Sequence, residues 1–443
     1  MIQVLIQNSA PRVEYAFRLV FETLLHCPVA FFADQALFAR AEGVKINYTD
    51  DYFSGCLNLN PHGLLSENTI DDVHPLVFKW DDLPVFFNVE NSFLPFDIFA
   101  ATFYLTARYE EYLPGKRDDK GRFRSEGSVA FKNGFLEKPL VNLWVRKMAK
   151  VIEDINPESH FDFSGFSYLP TIDVDNAWAY KHKGPVRNVL SAMRDLAAGR
   201  IANLVERFRV LMHLKPDPYD TYSYIRKINR EQGFKPIFFF LLNKAGAHDR
   251  SMWWRNPFLR KLIKSISQNY EVGIHPSYQS NFVRGQLTSE VLRLQTIVKH
   301  RVKFSRQHYL MLKLPETYRV LCENNIEADF TMGYADRAGY RASIATPFQF
   351  FDLKRNNATE LTIYPFVVMD VTLKHYCRLT PKAALTKIEQ LMDETAGCGG
   401  TFISLWHNET LRDSGSWAGW RVVYQKMTEK AAALYDEHST TKK

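Results

Sequence analysis

The chain has 443 residues, of which 46% are hydrophobic and 24% charged, which is typical of a folded globular protein with a large core. Its formal net charge of +7 is weak for this length, and no nucleic-acid-binding motif accompanies it, so a nucleic-acid partner is not expected. Five scattered cysteines, with no C-x-x-C pair, exclude a disulfide framework and a structural zinc cluster.

Residues 1–157 predict a smaller α+β domain of unassigned role. Ile2–Gln7 alternates like a strand, and Phe93–Tyr112 predicts one long apolar helix that ends in Arg108-Tyr109-Glu110-Glu111-Tyr112. A polar loop, Pro114–Gly127, separates it from a second helix through Leu143 and Met148. Residues 155–159, Ile-Asn-Pro-Glu-Ser, have the composition of a linker.

Strand-like and helix-like segments alternate over residues 161–437. The predicted strands are Ser167–Ile172, Pro236–Leu242, Glu271–Ile274, Lys303–Ser305, Ala328–Thr331, Thr362–Phe366 and Thr401–Trp406. The predicted helices between them are Tyr219–Gln232, Asn256–Ser267, Thr288–His300, Pro315–Asn324 and Pro381–Ala396. Such alternation predicts a parallel sheet, either open or closed into a barrel.

A basic segment, Lys181–Arg209, mixes cations with apolar residues at helical spacing. We expect a solvated helix face, and an amphipathic helix on a membrane surface is the alternative. The N-terminus lacks the features of a signal peptide, and no run of about 18 apolar residues occurs, so no transmembrane segment is expected. These features predict a cytoplasmic protein, for which peripheral membrane contact stays open.

Polar side chains suited to metal and acid–base chemistry follow several predicted strands. They are, in chain order, Asp173, Asp175, His275, Arg306, His308 and His407. Because the carboxyl ends of parallel strands meet at one face, we expect them to lie together. Each residue alone has a common structural explanation, such as a loop-capping Asp, but their joint occurrence at strand ends indicates a site. Histidine and carboxylate ligands are what a catalytic metal site needs.

These residues, in this order, resemble the polysaccharide deacetylase (NodB-homology) family over about residues 169–420. The matching phrases are Thr171-Ile172-Asp173-Val174-Asp175, Tyr270-Glu271-Val272-Gly273-Ile274-His275, Arg306-Gln307-His308-Tyr309 and Leu405-Trp406-His407. The resemblance implies an α/β fold in which a distorted (β/α) barrel, residues 161–437, follows the smaller α+β domain. It also implies Asp173 as the catalytic base held by Arg306, and His407 as the general acid oriented by Asp370.

The implied metal ligands depart from the family pattern at two positions. Asp175 and His275 match the family's first ligands, but the position four residues after His275, where a second histidine is usual, is Gln279. The proline usual two residues after the third-motif arginine is replaced by His308. Glutamine is a poor zinc ligand by comparison, so we expect His308 to complete the set. The expected cofactor is one divalent metal ion, with zinc as the first candidate.

The resemblance implies a metal-dependent hydrolase that removes N-linked acetyl groups from an amino sugar of a glycan or a glycan precursor. A cytoplasmic location would favour a precursor or a lipid-linked intermediate. Three alternatives stay open: a metal amidohydrolase acting on a small non-peptide C–N bond, a catalytically inactive glycan-binding barrel, and a membrane-associated scaffold. Trp178, Trp253, Trp406 and Trp417 would either stack on sugar rings or pack in the core. The oligomeric state is not predicted.

Overall fold

The structure, a computed structural model, describes residues 1–243, 246, 248–249 and 251–440. It has a mixed α/β fold with two parallel sheets. Among the described residues, none of the helices has both the length and the apolar character needed to cross a membrane.

The N-terminal region is built on a four-stranded sheet in the order β2-β1-β3-β4, in which all neighbours are parallel. Its strands are β1 (Ile2–Ile6), β2 (Val29–Phe32), β3 (Val44–Tyr48) and β4 (Leu57–Asn58). A separate antiparallel hairpin consists of β5 (Phe78–Trp80) and β6 (Leu83–Val85). The α-helices of this region are α1 (Pro11–Arg18), α2 (Gln35–Arg40), α3 (Ile98–Thr106), α4 (Val129–Lys132) and α5 (Leu140–Ile155).

The predicted long helix over residues 93–112 is shorter in the structure, because its two ends are fixed by local chemistry. The Asp97 carboxylate accepts hydrogen bonds from the N–H groups of Phe99 and Ala100, so α3 begins at Ile98. Arg108 has a left-handed backbone with φ of 54°, so the chain leaves the helix before the motif that follows.

The second region contains a nine-stranded sheet in the order β12-β13-β11-β10-β9-β8-β7-β15-β14. Its strands are β7 (Ser167–Val174), β8 (Ile237–Phe240), β9 (Val272–Ile274), β10 (Phe304–Ser305), β11 (Ala328–Asp329), β12 (Phe348–Asp352), β13 (Asn357–Ile363), β14 (Val368–Met369) and β15 (Thr401–His407). Its α-helices are α6 (Pro185–Ala197), α7 (Ile201–Leu211), α8 (Tyr222–Glu231), α9 (Pro257–Ser267), α10 (Gln286–Val298), α11 (Glu316–Glu323), α12 (Pro381–Gly397) and α13 (Trp420–Thr440). All seven predicted strands occur, whereas β12 and β14 were not predicted.

This sheet is parallel except for the pair β12 and β13. The short connection between β13 and β14 brings the two ends of this nine-stranded sheet towards each other. The Tyr364 N–H donates to the Asp329 carbonyl at 2.9 Å, and the Val367 N–H donates to the Ile403 carbonyl at 2.9 Å. The predicted α/β class with parallel strands is therefore confirmed, while a fully closed barrel is not shown.

A buried ion-pair network joins the two regions through the motif Arg108–Tyr112. Glu111 accepts from the Arg108 Nε at 2.8 Å and from the Arg341 Nη2 at 2.6 Å, and Glu110 accepts from Arg108 at 2.8 Å. Burial disfavours the charged carboxylate, but Arg341 and Arg108 outweigh it and lower the pKa of Glu111 to about 2.

The two regions also share one hydrophobic core. Phe351 of β12 packs against Tyr15 of α1 and Phe103 of α3, with ring centroids 5.1 and 4.9 Å apart. Because side chains of both regions fill the same core, the division at residues 157–161 remains a prediction.

Candidate metal centre

The predicted site residues lie at the carboxyl ends of neighbouring strands, as parallel alternation requires. Asp173 is the penultimate residue of β7, Asp175 follows that strand, His275 follows β9, Arg306 follows β10 and His407 ends β15. β15 and β7 are in register so that His407 pairs with Asp173. The parallel ladder therefore brings these residues to one face of the sheet.

Asp175, His275 and His308 converge closely enough to share one ion. The His275 Nε2 is 3.2 Å from Asp175 Oδ1, and the His308 Nε2 is 3.5 Å from Asp175 Oδ2. The potential ligand atoms of all three residues lie within 4.8 Å of one another. Burial opposes ionisation of Asp175, but His308 and His275 hold its pKa well below its usual range.

Each imidazole is held through its Nδ1 atom, which leaves Nε2 facing the other ligands. The His275 Nδ1 is 2.5 Å from the Arg306 carbonyl oxygen. A carbonyl only accepts, so Nδ1 carries the proton there and Nε2 of the neutral ring keeps a lone pair. The His308 Nδ1 is 2.8 Å from Asp249 Oδ1, which orients that ring in the same way. Burial lowers the pKa of His308, but Asp175 and Asp249 outweigh it and raise the pKa to about 9.

Two buried atoms at this point have no hydrogen-bond partner among the described residues, namely Asp175 Oδ1 and His275 Nε2. Buried polar atoms are normally satisfied, and these two face each other. A divalent cation coordinated by both would satisfy them together, and one carboxylate with two imidazoles is a donor set that suits such an ion. The residues present therefore fit a bound metal ion.

Asp173 lies beside this cluster and is fixed by Arg306. The Arg306 Nη1 donates to Asp173 Oδ1 at 3.1 Å and to the Thr171 hydroxyl at 2.7 Å, while its Nε donates to the Phe330 carbonyl at 3.0 Å. Asp173 Oδ2 is 3.8 Å from the His275 Nε2. The first carboxylate of the Asp-x-Asp motif, Asp173, thus differs in its contacts from the second, Asp175, because it is paired with a guanidinium whereas Asp175 lies between two imidazoles.

His407 and Asp370 form a second ion pair beside the ligand cluster, in addition to that of Asp173 and Arg306. The His407 Nδ1 is 2.9 Å from Asp370 Oδ1, and the His407 backbone N–H donates to Asp370 Oδ2 at 2.8 Å. The Thr410 hydroxyl also donates to Asp370 Oδ2. Burial lowers the pKa of His407, but the Asp370 carboxylate outweighs it and raises the pKa to about 10. At neutral pH this pairing favours the cationic form of His407.

Gln279, unlike the buried His275 and His308, is exposed on the short turn Tyr278–Asn281. His308 starts a turn in which Tyr309 has a left-handed backbone with φ of 58°. The Tyr309 carbonyl accepts from the Arg122 Nη1 at 2.7 Å, so the N-terminal region contacts the turn that carries His308.

Two carboxylates near the site, the buried Asp249 and the half-buried Glu409, were not among the residues predicted for it. Asp249, which holds His308, lies between β8 and α9 in a stretch with no periodicity, so the sequence carried no signal for it. Glu409 lies two residues after His407, where proximity to that strand end could have indicated it. Burial and then the charge of Asp175 raise the pKa of Glu409.

Of the four tryptophans considered for sugar stacking, three belong to the core. Trp178, Trp406 and Trp417 are buried, so these three side chains pack in the core and are not available for sugar stacking. Trp253 is 57% exposed.

Comparisons with known proteins give partial matches. Residues 2–157 match a family of unknown function, DUF7033. A comparison with curated protein sequences finds no match. Among solved structures, a Mycobacterium smegmatis protein assigned as a polysaccharide deacetylase is similar over 64% of this chain and 93% of its own, with 14% identity and a TM-score of 0.41.

Two further structures have lower scores. A CE4 family pseudoenzyme from Bacillus anthracis matches 60% of this chain and 61% of its own, with 14% identity and a TM-score of 0.31. A polysaccharide deacetylase of Bacillus cereus matches 60% of this chain and 88% of its own, with 13% identity and a TM-score of 0.29. At these identities and TM-scores the likenesses carry no weight for function, which has to be inferred from the geometry of the site.

Proposed function

We propose that this protein is a metal-dependent deacetylase that hydrolyses the N-acyl group of an amino sugar in a glycan or glycan precursor. The observation that carries the proposal is the convergence of Asp175, His275 and His308, with two facing buried atoms that lack a hydrogen-bond partner. Asp173 and His407, each fixed by its own partner, flank this cluster. Metal ligands, a base and an acid are the three components of metal-assisted amide hydrolysis.

In this proposal Asp173 is the general base. Arg306 and the strand β7 fix the direction of its carboxylate, which accepts a proton from the attacking water. The oxygen of that water bonds to the acyl carbon, and the C–N bond then breaks. His407, protonated because its pKa is raised to about 10, donates its proton to the departing nitrogen. The products are a free carboxylic acid and the amine of the sugar.

Asp370 is a positioning residue in this scheme. Its carboxylate holds the Nδ1 of His407, so the opposite ring nitrogen is left for the substrate. An ion held by Asp175, His275 and His308 would supply Lewis acidity to the acyl carbonyl and to the attacking water.

The test is acetate release from N-acetylated chitooligosaccharides by the full chain, with and without added zinc or cobalt. We expect release that a chelator abolishes and added metal restores. Asp173→Asn should lower kcat by about 10²- to 10⁴-fold, the usual contribution of a general base, while metal content is retained. Asp162→Asn, which changes an exposed aspartate outside the site, is the matched control and should behave as wild type. Release that is indifferent to the chelator, or full activity in Asp173→Asn, would refute the proposal.

A further inference from the structure

The helices α6 and α7 form a hairpin with an unusual number of exposed apolar side chains. Eleven of the 26 large hydrophobic side chains that are exposed in the described part of the chain lie between residues 186 and 214. On α6 they include Val186, Val189, Met193 and Leu196, and on α7 and its end Ile201, Val205, Phe208 and Met212. Spacings of three and four residues place each set along one side of its helix. The two helices are thus solvated, as expected, but each also has an exposed apolar stripe, which was not expected.

The positive charge of the chain is concentrated in the same segment. Residues 181–216 contain eight Lys or Arg and two Asp or Glu, so this segment accounts for six of the seven net positive charges. An apolar stripe with cations beside it is the pattern of a helix that lies in the interface of an anionic membrane. A second copy of the hairpin is the other candidate for covering the apolar stripe. It would, however, bring two strongly cationic segments together, which is electrostatically unfavourable.

A cavity of about 1130 Å³ lies between this hairpin and the carboxyl ends of the strands. Six cationic side chains line it: Lys183, Arg187, Arg194, Arg200, Arg207 and Arg412. Asp195 is the one carboxylate among the described residues that line the cavity, and it is paired with Arg207 at 2.7 Å and Arg200 at 3.1 Å.

Two of these six cationic groups are not fully satisfied by the described residues. The Nε atoms of Arg207 and Arg412 are buried without a hydrogen-bond partner there. Burial, and then the charge of Arg187, lower the pKa of Lys183 to about 8. An anion with several acceptor oxygens, such as a phosphate, would satisfy these donors.

The cavity adjoins the metal centre. Asn176, which lines it, is the residue after Asp175, and Arg412 follows the strand end that carries His407. Burial and then Asp175 raise the pKa of Glu409, whose charge also acts on Lys183. A molecule with a phosphate in the cavity would therefore extend past Asn176 towards the metal centre.

We propose that the α6–α7 hairpin docks on an anionic membrane surface and that the cavity beneath it binds the phosphate of a lipid-linked sugar. The hairpin inserts its apolar stripes between lipid headgroups, and the cavity arginines receive the phosphate that joins lipid and sugar. The identity of the sugar as an N-acyl amino sugar rests on the proposed function, whereas membrane docking does not.

The experiment is co-sedimentation of the full chain with three kinds of vesicle: phosphatidylcholine alone, phosphatidylcholine with phosphatidylglycerol, and phosphatidylcholine with a polyprenyl phosphate. We expect binding to both anionic vesicles and not to phosphatidylcholine alone, with binding that weakens as salt is added. The double variant Val189→Glu/Met193→Glu should bind both at least about tenfold more weakly. The matched control Leu76→Glu/Leu292→Glu changes exposed apolar residues outside the hairpin and should bind as wild type.

A cavity variant separates the phosphate site from docking. Arg194 is exposed at the cavity and makes no side-chain hydrogen bond or ion pair among the described residues, so Arg194→Gln should leave the fold intact. It should weaken binding to polyprenyl phosphate vesicles more than to phosphatidylglycerol vesicles, because the proposed occupant of the cavity is the phosphate of a single-chain polyprenyl lipid, whereas phosphatidylglycerol is expected to meet only the outer side of the hairpin. Equal weakening on both would overturn the phosphate site.

Two results would overturn membrane docking. One is failure of the wild type to bind either anionic vesicle. The other is a wild-type dimer that Val189→Glu/Met193→Glu converts to monomer without a change in vesicle binding, since a second copy would then cover the stripe. Sedimentation needs no catalysis, so its failure would leave the proposed deacetylase untouched, and absence of acetate release would leave membrane docking untouched.

Discussion

Replacing His308 by alanine is expected to abolish tight metal binding. Its Nε2 lies 3.5 Å from Asp175 Oδ2, and with His275 it makes up the group of three potential ligands. Zinc sites with four protein ligands bind with about 10–16 kcal/mol, which divided equally is about 2.5–4 kcal/mol per ligand. Because about 1.4 kcal/mol is a factor of ten, loss of one ligand should weaken binding on the order of 100- to 1,000-fold.

The assay is competition for zinc against a chromogenic chelator at fixed pH, with circular dichroism to check the fold. Gln279→Ala is the matched control, because Gln279 is exposed and is the other position at which the sequence resemblance would place a ligand. We expect Gln279→Ala to bind as wild type. If His308→Ala binds as wild type while Gln279→Ala loses zinc, the ligand set proposed here is wrong and Gln279 completes the site.

Three further predictions concern two carboxylates that hold histidines of the site and one carboxylate that joins the two regions. Asp249→Asn removes the carboxylate that orients the third ligand, so zinc affinity should fall about 10- to 100-fold; unchanged affinity in the same chelator competition would contradict this. Asp370→Asn removes the charge that raises the pKa of His407, so the alkaline fall of kcat/KM should move from near pH 10 towards lower pH. An unmoved pH profile would exclude His407 as the acid. Glu111→Gln breaks the buried pair with Arg341 and should lower the free energy of unfolding in urea at pH 7 by about 3–5 kcal/mol. The pKa of Glu111 is lowered to about 2 in the folded protein, so the difference in free energy of unfolding between wild type and Glu111→Gln should be fully present above the pKa of Glu111 in the unfolded chain. It should shrink as the pH falls towards 2. A difference that does not depend on pH would refute the electrostatic origin.

The position of the site could be predicted because a parallel alternation places every strand end on one face. Asp173, Asp175, His275, Arg306 and His407 needed only that rule and the strand assignments to be expected at the same place. Asp249 could not be predicted in this way, because it reaches His308 from a long connection rather than from a strand end.

Parts of the fold escaped prediction for physical reasons. β12 and β14 are the two edge strands of the sheet, and no α-helix separates either of them from β13, so the strand–helix alternation did not mark them. The exposure of the apolar side of the basic segment was not predicted, because periodicity shows that a helix has an apolar side but not whether that side is covered. Only the structure shows that Met193 and Phe208 lie in the open, 62% and 61% exposed.

The hydrogen bond from Arg122 to the Tyr309 carbonyl limits how freely one region could be replaced, in evolution or by design, without the other. The residue next to Tyr309 is His308, so a side chain from the N-terminal third helps to fix the backbone that presents a potential metal ligand. A hybrid that joined residues 161–437 to a foreign N-terminal segment would keep every residue proposed for the chemistry and yet lose this restraint. Change in the first region is thus expected to alter metal affinity in the second, so the two would have to evolve as a matched pair.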